Sequence, residues 1–460
     1  MYTSSFYPLI MAAVFIVLAG VFVLDYALSL RDAEKRKRQA AFFKRYINAI
    51  IFTVAFLVFF LLNNHKSIYY NNYSYLCEAW LDGRLYVVNF PTWLESVEFG
   101  GLTYMHFAPG AALLHLPFVA LFGVNGFNTA WLSYLLGASN AVLFYNVFTN
   151  LRVGKTMRSR LWCTAFAVFG TVHCFLSAIG HSWFIGHTST LFYLLIAMLF
   201  ITDRRERKYK WLFPFLAGLF YGLSVTCRIS NLLSGLFFLG YVLFYKDKRD
   251  WLVCCIAFVC GAAIPGGLYM LMNYLRYGTI MDISYNLTHL KDYYRDMYNY
   301  MQTLPTKSEQ LAYLRAAERE VGGPQQLQFV KHNLYSIFLM PPNFSSSYPY
   351  IIPSQSGLAV TICSPALFYA VLAPWKKRLK LCLTLIVTAV ICSVPFLLNY
   401  GNGMAQFGMR YAMDFLPYLI ILACMGLSRC KRPLVGRIII LLSIFVNIWG
   451  PVYWNCFYLG

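Results

Sequence analysis

The chain has 460 residues, of which 59% are hydrophobic and only 12% are charged. A soluble domain carries about a quarter charged residues and under half apolar ones, so this composition excludes a soluble fold. The net charge of +20 comes from basic residues in short clusters between apolar runs. That pattern is typical of membrane topology, and with no nucleic-acid-binding motif present we expect no nucleic-acid partner.

The apolar residues fall into segments of about 17–25 residues, the length that crosses a hydrocarbon core. In lipid, only helices and closed barrels satisfy every backbone polar group. Barrel strands alternate apolar and polar residues, and these runs do not, which favours helices. The sequence therefore predicts an all-α, polytopic integral membrane helix bundle of about 12 transmembrane helices, with interfacial helices in two large outer-face loops.

The chain order predicts four regions. An N-terminal transmembrane helix and a basic cytoplasmic linker take up 1–45; no basic region precedes the first apolar run, so we interpret it as a retained span and not as a signal peptide. A transmembrane core at 46–273 includes a first outer loop at 63–126, a second outer-face loop with a short helix follows at 274–356, and C-terminal transmembrane helices fill 357–460. The orientation follows from placing all of the basic clusters in the cytoplasm.

One apolar segment, Phe107–Phe122, does not fit this charge pattern. If it crossed the membrane, the basic cluster Arg152–Arg160 would lie outside. The segment is short and contains Pro109, His115 and Pro117. We therefore expect an interfacial or re-entrant helix there, followed by a true span at 128–148.

The second loop contains a clear helix start. Thr306 and Glu309 are spaced as a capping box, and Gly322-Gly323-Pro324 is a typical stop signal. Long loops of this kind are usually functional, and both loops are rich in Tyr and Trp, as interfacial segments are.

Acidic residues are scarce, 18 in all, and the first loop holds four of them: Glu78, Asp82, Glu95 and Glu98. One interpretation is that loops are simply where charges are tolerated. The alternative is that a carboxylate beside the membrane acts as a general base on a hydroxyl or amine acceptor, or holds a divalent ion. The catalytic candidates are Glu95, Glu98 and Asp82.

Two arginines are expected at outer helix ends. Arg410 lies in Gln406–Asp414 beside Tyr411, and Arg228 follows a span at Cys227. Each could be an orienting or snorkelling side chain. Because positive-inside statistics disfavour an unpartnered arginine on the outer face, we favour a phosphate or carboxylate partner gripped through paired N–H donors.

Several further polar residues could line a cavity, namely Tyr104, His106, His181, His187 and Gln406. His181 and His187 bracket a short turn, which is weak evidence for a metal, and each is better interpreted as a hydrogen-bonding residue. No cysteine pair has metal-ligand spacing. We predict no metal site, and the sequence neither requires a divalent cation nor excludes one.

Three short motifs follow one another along the chain. The first combines Gly83-Arg-Leu-Tyr86 with Gly101–Pro117, the second is Asn273–Gly278, and the third is Phe407–Pro417. In their order and spacing they resemble the GT-C class of membrane glycosyltransferases, in particular the bacterial branch similar to the dolichyl-phosphate-mannose–protein mannosyltransferases. The resemblance covers the layout from Tyr46 to the end of the chain.

The resemblance implies transfer of a sugar from a polyprenyl-phosphate donor to a lipid, glycan or protein acceptor on the outer face of a bacterial inner membrane. In such enzymes an acidic residue of the first loop acts as base, and basic residues at outer helix ends hold the lipid phosphate. Glu95 falls where the family usually has Asp, which leaves Glu98 and Asp82 as alternatives. Arg410 matches the phosphate-side arginine, with Tyr411 beside it, and Arg228 matches a further basic position. The competing hypothesis is a non-catalytic transporter or flippase of lipid-linked glycans.

Overall fold

A computed structural model describes residues 6–29, 33–64, 67–205 and 208–458. Within these ranges, residues 26–29 and 33–44 are described by their backbone alone. The predicted basic linker, which ends at residue 45, lies almost wholly in the range whose side chains are not described. The helices are α1 (Tyr7–Ser29), α2 (Ala33–Asn63), α3 (Asn72–Leu81), α4 (Ala112–Gly126), α5 (Ala130–Asn150), α6 (Met157–Phe169), α7 (His173–Ile179), α8 (Ser182–Thr202), α9 (Leu212–Cys227), α10 (Gly235–Tyr245), α11 (Trp251–Tyr277), α12 (Ser284–Tyr293), α13 (Arg295–Thr303), α14 (Lys307–Val321), α15 (Val330–Phe338), α16 (Val360–Cys363), α17 (Leu379–Leu398), α18 (Leu416–Leu427) and α19 (Pro433–Tyr453). Four short strands form two antiparallel hairpins, β1 (Ser96–Phe99) with β2 (Leu102–Met105) and β3 (Asn343–Phe344) with β4 (Ile351–Ile352).

The chain is a multi-pass integral membrane protein built as a helix bundle. In the described ranges, seven helices are long and apolar enough to span a membrane, or eight if α6 and α7, bent by 60° at their junction, count as one span. Three shorter apolar helices accompany them: Leu212–Cys227, Ile229–Tyr245 and Leu416–Leu427. The predicted polytopic all-helical class is therefore confirmed.

The segment that conflicted with the charge pattern is helical. Pro109–Gly126 has the length and composition of a span, but Gly123 interrupts it with a left-handed φ of 70°. The following helix, α5, is less apolar because it carries Asn140 and Asn146, and most of its residues are buried against other helices of the bundle. A helix enclosed by protein needs fewer apolar side chains than one facing lipid. The interfacial placement of α4 stays a prediction.

The basic clusters meet at one end of the bundle. Asp25 of α1 pairs with Arg158 (2.5 Å between Nε and Oδ1) and with Arg437 (2.7 Å between Nη1 and Oδ2). Arg378 donates to the carbonyl of Leu151 at 2.8 Å, and Lys210 pairs with Asp250 at 2.9 Å. Clusters far apart in sequence thus share one end, as the topology argument requires.

The two long connecting segments pack together at the opposite end, which we call the loop end. Val97 and Phe99 of β1 share a hydrophobic cluster with Leu287 and Leu314 of the second segment. Gly100 N–H donates to the Gln310 side chain at 2.8 Å. The capping box of Thr306 and Glu309 is present at the start of α14, as the sequence predicts. The second segment also holds α12, α13 and α15, so it is a small helical layer above the bundle.

Candidate active site

A cavity of about 470 Å³ lies where the helical layer meets the bundle. Apart from Ala108, Leu232 and Leu233, its walls come from five places in the chain at or near helix ends. They are Cys227–Ser230 after α9, Asp282–Asn286 at the start of α12, Gly323–Gln325 after α14, Pro395–Asn399 at the end of α17, and the turn holding Tyr411 and Asp414. Helix ends bring unsatisfied backbone groups and polar side chains to one place, which suits a polar ligand.

A buried ion pair forms one wall of this cavity. Arg228 donates from Nε to Asp414 Oδ1 and from Nη2 to Asp414 Oδ2, both at 2.9 Å. Ser230 Oγ donates to the same carboxylate at 2.7 Å. The two side chains are only 14% and 3% exposed. Arg228 lines this cavity, and its charge is neutralised by a carboxylate 186 residues away, so its role in binding a phosphate stays a prediction.

Arg410 is also at the site, but it has a different environment. Its Nη1 donates to the carbonyl of Met404 at 3.1 Å and to Gln406 Oε1 at 3.4 Å, and its guanidinium stands 5.0 Å from the ring centre of Tyr411. No carboxylate forms an ion pair with Arg410 within the described ranges. Gln406 itself donates to the carbonyls of Ser356 and Asn402, which turns its oxygen towards the arginine. Arg410 is therefore a buried cation whose hydrogen-bond partners, among the described residues, are all neutral.

A smaller cavity of about 30 Å³ contains Arg410 and adjoins the larger one through shared Arg228, Tyr285 and Tyr411. His187 of α8 also lines it. Neither ring nitrogen of His187 has a hydrogen-bond partner among the described residues, and Nδ1 stands 3.9 Å from Asp414 Oδ1. Buried polar atoms without partners are costly, so a ligand or water is expected in this space.

Glu95 itself lines neither cavity, but it is hydrogen-bonded to a residue of the smaller one. Trp183, which lines that cavity, donates from Nε1 to Glu95 Oε2 at 2.5 Å. His106 Nε2 is 3.6 Å from the same oxygen, and the Glu95 side chain is 48% exposed. Burial lowers the pKa of His106, and the neighbouring Glu95 charge opposes that shift. Burial and the charge of Glu95 raise the pKa of Asp292. Glu95 thus combines access to water with contacts to the site.

The remaining predicted residues lie elsewhere. Asp82 pairs with Arg84 on its own turn, and Glu98 has an exposed side chain on β1. Tyr104 is buried against Arg276 and Tyr277, and His181 is stacked on Phe184. None of these four lines either cavity. Their assignments stay predictions without support from this geometry.

Several residues of the larger cavity are not among the site residues predicted from the sequence, namely Asp282, Tyr285, Asn286, Gln325 and Asn399. Asp282 offered a signal, since it is an acidic residue four positions beyond the Asn273–Gly278 motif in a chain poor in acids. The amides offered none, because Asn and Gln are ordinary loop residues. In the part of the chain that the structure describes, no three His, Cys, Asp or Glu side chains are grouped to hold a metal ion.

An apolar groove leads away from the cavity along α9, α10 and α11. It measures about 720 Å³ and is lined by residues such as Leu236, Val259 and Met270. Leu232 and Leu233 belong to both the groove and the larger cavity. The apolar groove therefore continues into the larger cavity, which adjoins the smaller cavity that contains Arg410.

No family profile and no curated protein sequence matches the chain. Among solved structures it resembles ArnT from Cupriavidus metallidurans bound to undecaprenyl phosphate, with a TM-score of 0.50 and 12% identity over 84% of this chain and 61% of that chain. It also resembles the Archaeoglobus fulgidus oligosaccharyltransferase tethered with an acceptor peptide, with a TM-score of 0.47 and 14% identity over 85% of this chain and 50% of that one. The apo form of that transferase gives 0.46 and 13% over 84% and 51%. The chain thus spans about half to three-fifths of the length of these proteins. Its fold is GT-C-like, as the likeness to ArnT shows.

Proposed function

We propose that this protein is a GT-C-type membrane glycosyltransferase that moves a hexosyl or pentosyl group from a polyprenyl-phosphate donor to a lipid, glycan or protein acceptor. In this proposal the two loop segments, 63–126 and 274–356, face the outer side of a bacterial inner membrane. The observation that carries the proposal is Arg410, a guanidinium that has no carboxylate partner among the described residues. Its cavity adjoins the larger one, which in turn continues into the apolar groove.

The donor has an apolar tail and a charged phosphate, and the protein has an environment that suits each. An isoprenoid tail is apolar and suits the groove lined by Leu236, Val259 and Met270. A phosphate is best held by arginine, whose planar N–H donors match its oxygens. The GT-C-like structure of ArnT, which this chain resembles, is bound to undecaprenyl phosphate. We therefore assign donor binding to the groove and to Arg410, with Arg228 and Tyr411 beside it.

We assign an inverting displacement to this site. In such a reaction the acceptor attacks the anomeric carbon on the side opposite the leaving phosphate. Glu95 takes the proton from the acceptor O–H or N–H, the new bond to the anomeric carbon forms, and the bond from that carbon to the phosphate oxygen breaks. Arg410 stabilises the charge that remains on the departing polyprenyl phosphate. The exposed position of Glu95 lets an acceptor approach from water while the donor enters from lipid.

The competing hypothesis is a transporter of lipid-linked glycans. Transporters typically place ionisable residues near the bilayer midplane, in broken helices. The bend between α6 and α7 is one such feature. Arg228, Arg410 and Asp414 instead lie at helix ends around the cavity, which favours the transferase.

The test is transfer of radiolabelled sugar from undecaprenyl-phosphate glucose, and in parallel from undecaprenyl-phosphate mannose, to a membrane extract by purified protein in nanodiscs. A general base contributes about 10²–10⁴-fold, so Glu95→Gln should reduce the rate by that factor. Glu98→Gln is the matched control and should retain the rate, because in the described ranges the exposed Glu98 carboxylate, unlike that of Glu95, makes no hydrogen bond to a residue of either cavity. An undiminished rate in Glu95→Gln would remove the base assignment.

Donor binding is tested separately with undecaprenyl phosphate and native mass spectrometry. Arg410→Ala should weaken binding by about tenfold or more, since a charge-assisted contact contributes about 1.5–3 kcal/mol. Arg315→Ala, an exposed arginine of α14, should leave binding unchanged. Equal affinity in wild type and Arg410→Ala would contradict the phosphate assignment.

A further inference from the structure

The larger cavity contains a second carboxylate whose environment differs from that of Asp414. Asp282 accepts hydrogen bonds from the backbone N–H of Ser284 at 2.8 Å, from the Ser284 hydroxyl and from the Tyr269 hydroxyl. All three donors are neutral. Among the described residues, no lysine, arginine or histidine forms an ion pair with Asp282.

The negative and the positive charge that, among the described residues, lack an ion-pair partner therefore lie in different cavities. Arg228 and Asp414 neutralise one another, which leaves Asp282 as the carboxylate of the larger cavity that has no ion-pair partner in the described ranges. Arg410, in the smaller cavity, is the uncompensated positive charge. An anionic group entering the larger cavity would meet Asp282 in surroundings of low dielectric, where like charges repel strongly.

The rest of that wall is suited to hydroxyl groups. Asn286, Gln325 and Asn399 present amides, which can both donate and accept, and Tyr285 and Tyr411 present aromatic rings. A carboxylate held in place by its own donors, as Asp282 is, can still accept from a sugar hydroxyl or ammonium. The wall therefore offers partners for hydroxyl or amino substituents. Among its described residues the charged side chains are the Arg228–Asp414 pair and Asp282, so it offers a second anion no cation that is free of a carboxylate.

We propose that Asp282 is a specificity-determining residue that restricts the transferred sugar to neutral or amino sugars and excludes uronic acids. This inference rests on the proposed donor-binding function and adds the charge class of the sugar. It places the anionic phosphate at Arg410 and the uncharged or cationic sugar ring beside Asp282.

The test uses three synthetic decaprenyl-phosphate donors that differ only at C6 of glucose: glucose itself, glucuronic acid and 6-amino-6-deoxyglucose. Binding to purified protein in nanodiscs is measured by native mass spectrometry. Wild type should bind the glucuronic acid donor about tenfold or more weakly than the glucose donor, and the amino donor at least as tightly as glucose. Equal binding of the glucose and glucuronic acid donors by wild type would overturn the inference without using any variant.

Variants then assign the effect to Asp282. Asp282→Asn should bring the three affinities to within about threefold of one another, whereas Asp282→Glu, which keeps the charge, should keep the wild-type order. Asp296→Asn, an exposed acid on α13, is the matched control and should change nothing. An unchanged order of affinities in a folded Asp282→Asn protein would overturn the inference. If undecaprenyl phosphate itself failed to bind wild type, the proposed function and this inference would both fall, whereas loss of discrimination with intact phosphate binding would remove the inference alone.

Discussion

The ion pair between Arg228 and Asp414 allows a quantitative prediction. Both side chains are largely buried and joined by two hydrogen bonds of 2.9 Å. Removing one partner from such a pair leaves an uncompensated buried charge, which costs about 3–5 kcal/mol. Coulomb attraction at about 4 Å with an effective dielectric constant near 20 gives a similar value, about 4 kcal/mol. Asp414→Leu should therefore reduce the free energy of unfolding by about that amount.

A double-mutant cycle separates the pair from the other contacts of each residue. We expect Arg228→Met with Asp414→Leu to cost much less than the sum of the two single changes, because no unpaired charge is left in the double variant. Unfolding can be followed by tryptophan fluorescence in mixed micelles with increasing SDS. Single effects that add to within about 0.5 kcal/mol would refute the claim that these two charges depend on one another.

The same pair has a functional consequence. Asp414→Asn keeps the shape of the side chain but removes the charge that neutralises Arg228. The cavity then gains one net positive charge, so undecaprenyl phosphate should bind about tenfold more tightly even though the protein is less stable. Weaker or unchanged phosphate binding in a folded Asp414→Asn protein would place the phosphate away from Arg228.

Two further predictions concern stability. Burial lowers the pKa of His181 to about 4. As the pH falls below about 6.5, the histidine is protonated in the unfolded chain but stays neutral in the folded one. Acidification therefore destabilises the folded state. His181→Phe, which preserves the aromatic packing, should make the loss of stability between pH 7 and pH 5 smaller by about 2 kcal/mol, measured as the shift of the melting temperature, and an unchanged pH dependence would count against it. Gly218→Ala should destabilise by about 1–3 kcal/mol because its Cβ would lie 1.9 Å from the Phe258 carbonyl oxygen, whereas Gly266→Ala meets nothing within 4 Å and serves as the control. Equal melting temperatures for these two variants would show that α9 and α11 are not closely packed at Gly218.

The sequence predicted the features that depend on local pattern. Apolar runs of spanning length identified the bundle, and the spacing of Thr306 and Glu309 identified the start of α14. Scattered basic clusters predicted one common end, and the contacts of Asp25 with Arg158 and Arg437 bring two of them together. These signals need no knowledge of which distant segments touch.

The features that the sequence did not reveal depend on long-range contacts. Nothing near Arg228 indicates that its partner is Asp414, 186 residues later. The hairpin of β1 and β2 is only four residues on each side and is stabilised by packing against α12 and α14, so its own pattern is too short to detect. Glu95 and Arg410 could be proposed from motifs, but Asp282 emerged only when the second segment was seen to fold over the cavity.

The most direct test of the central proposal is a cryo-electron microscopy map of the protein in nanodiscs with undecaprenyl phosphate. We predict density for the phosphate within hydrogen-bonding distance of the Arg410 guanidinium, and density for the isoprenoid tail along the groove of Leu236, Val259 and Met270. A phosphate bound elsewhere, with the groove holding only bilayer lipid, would contradict donor binding at this site.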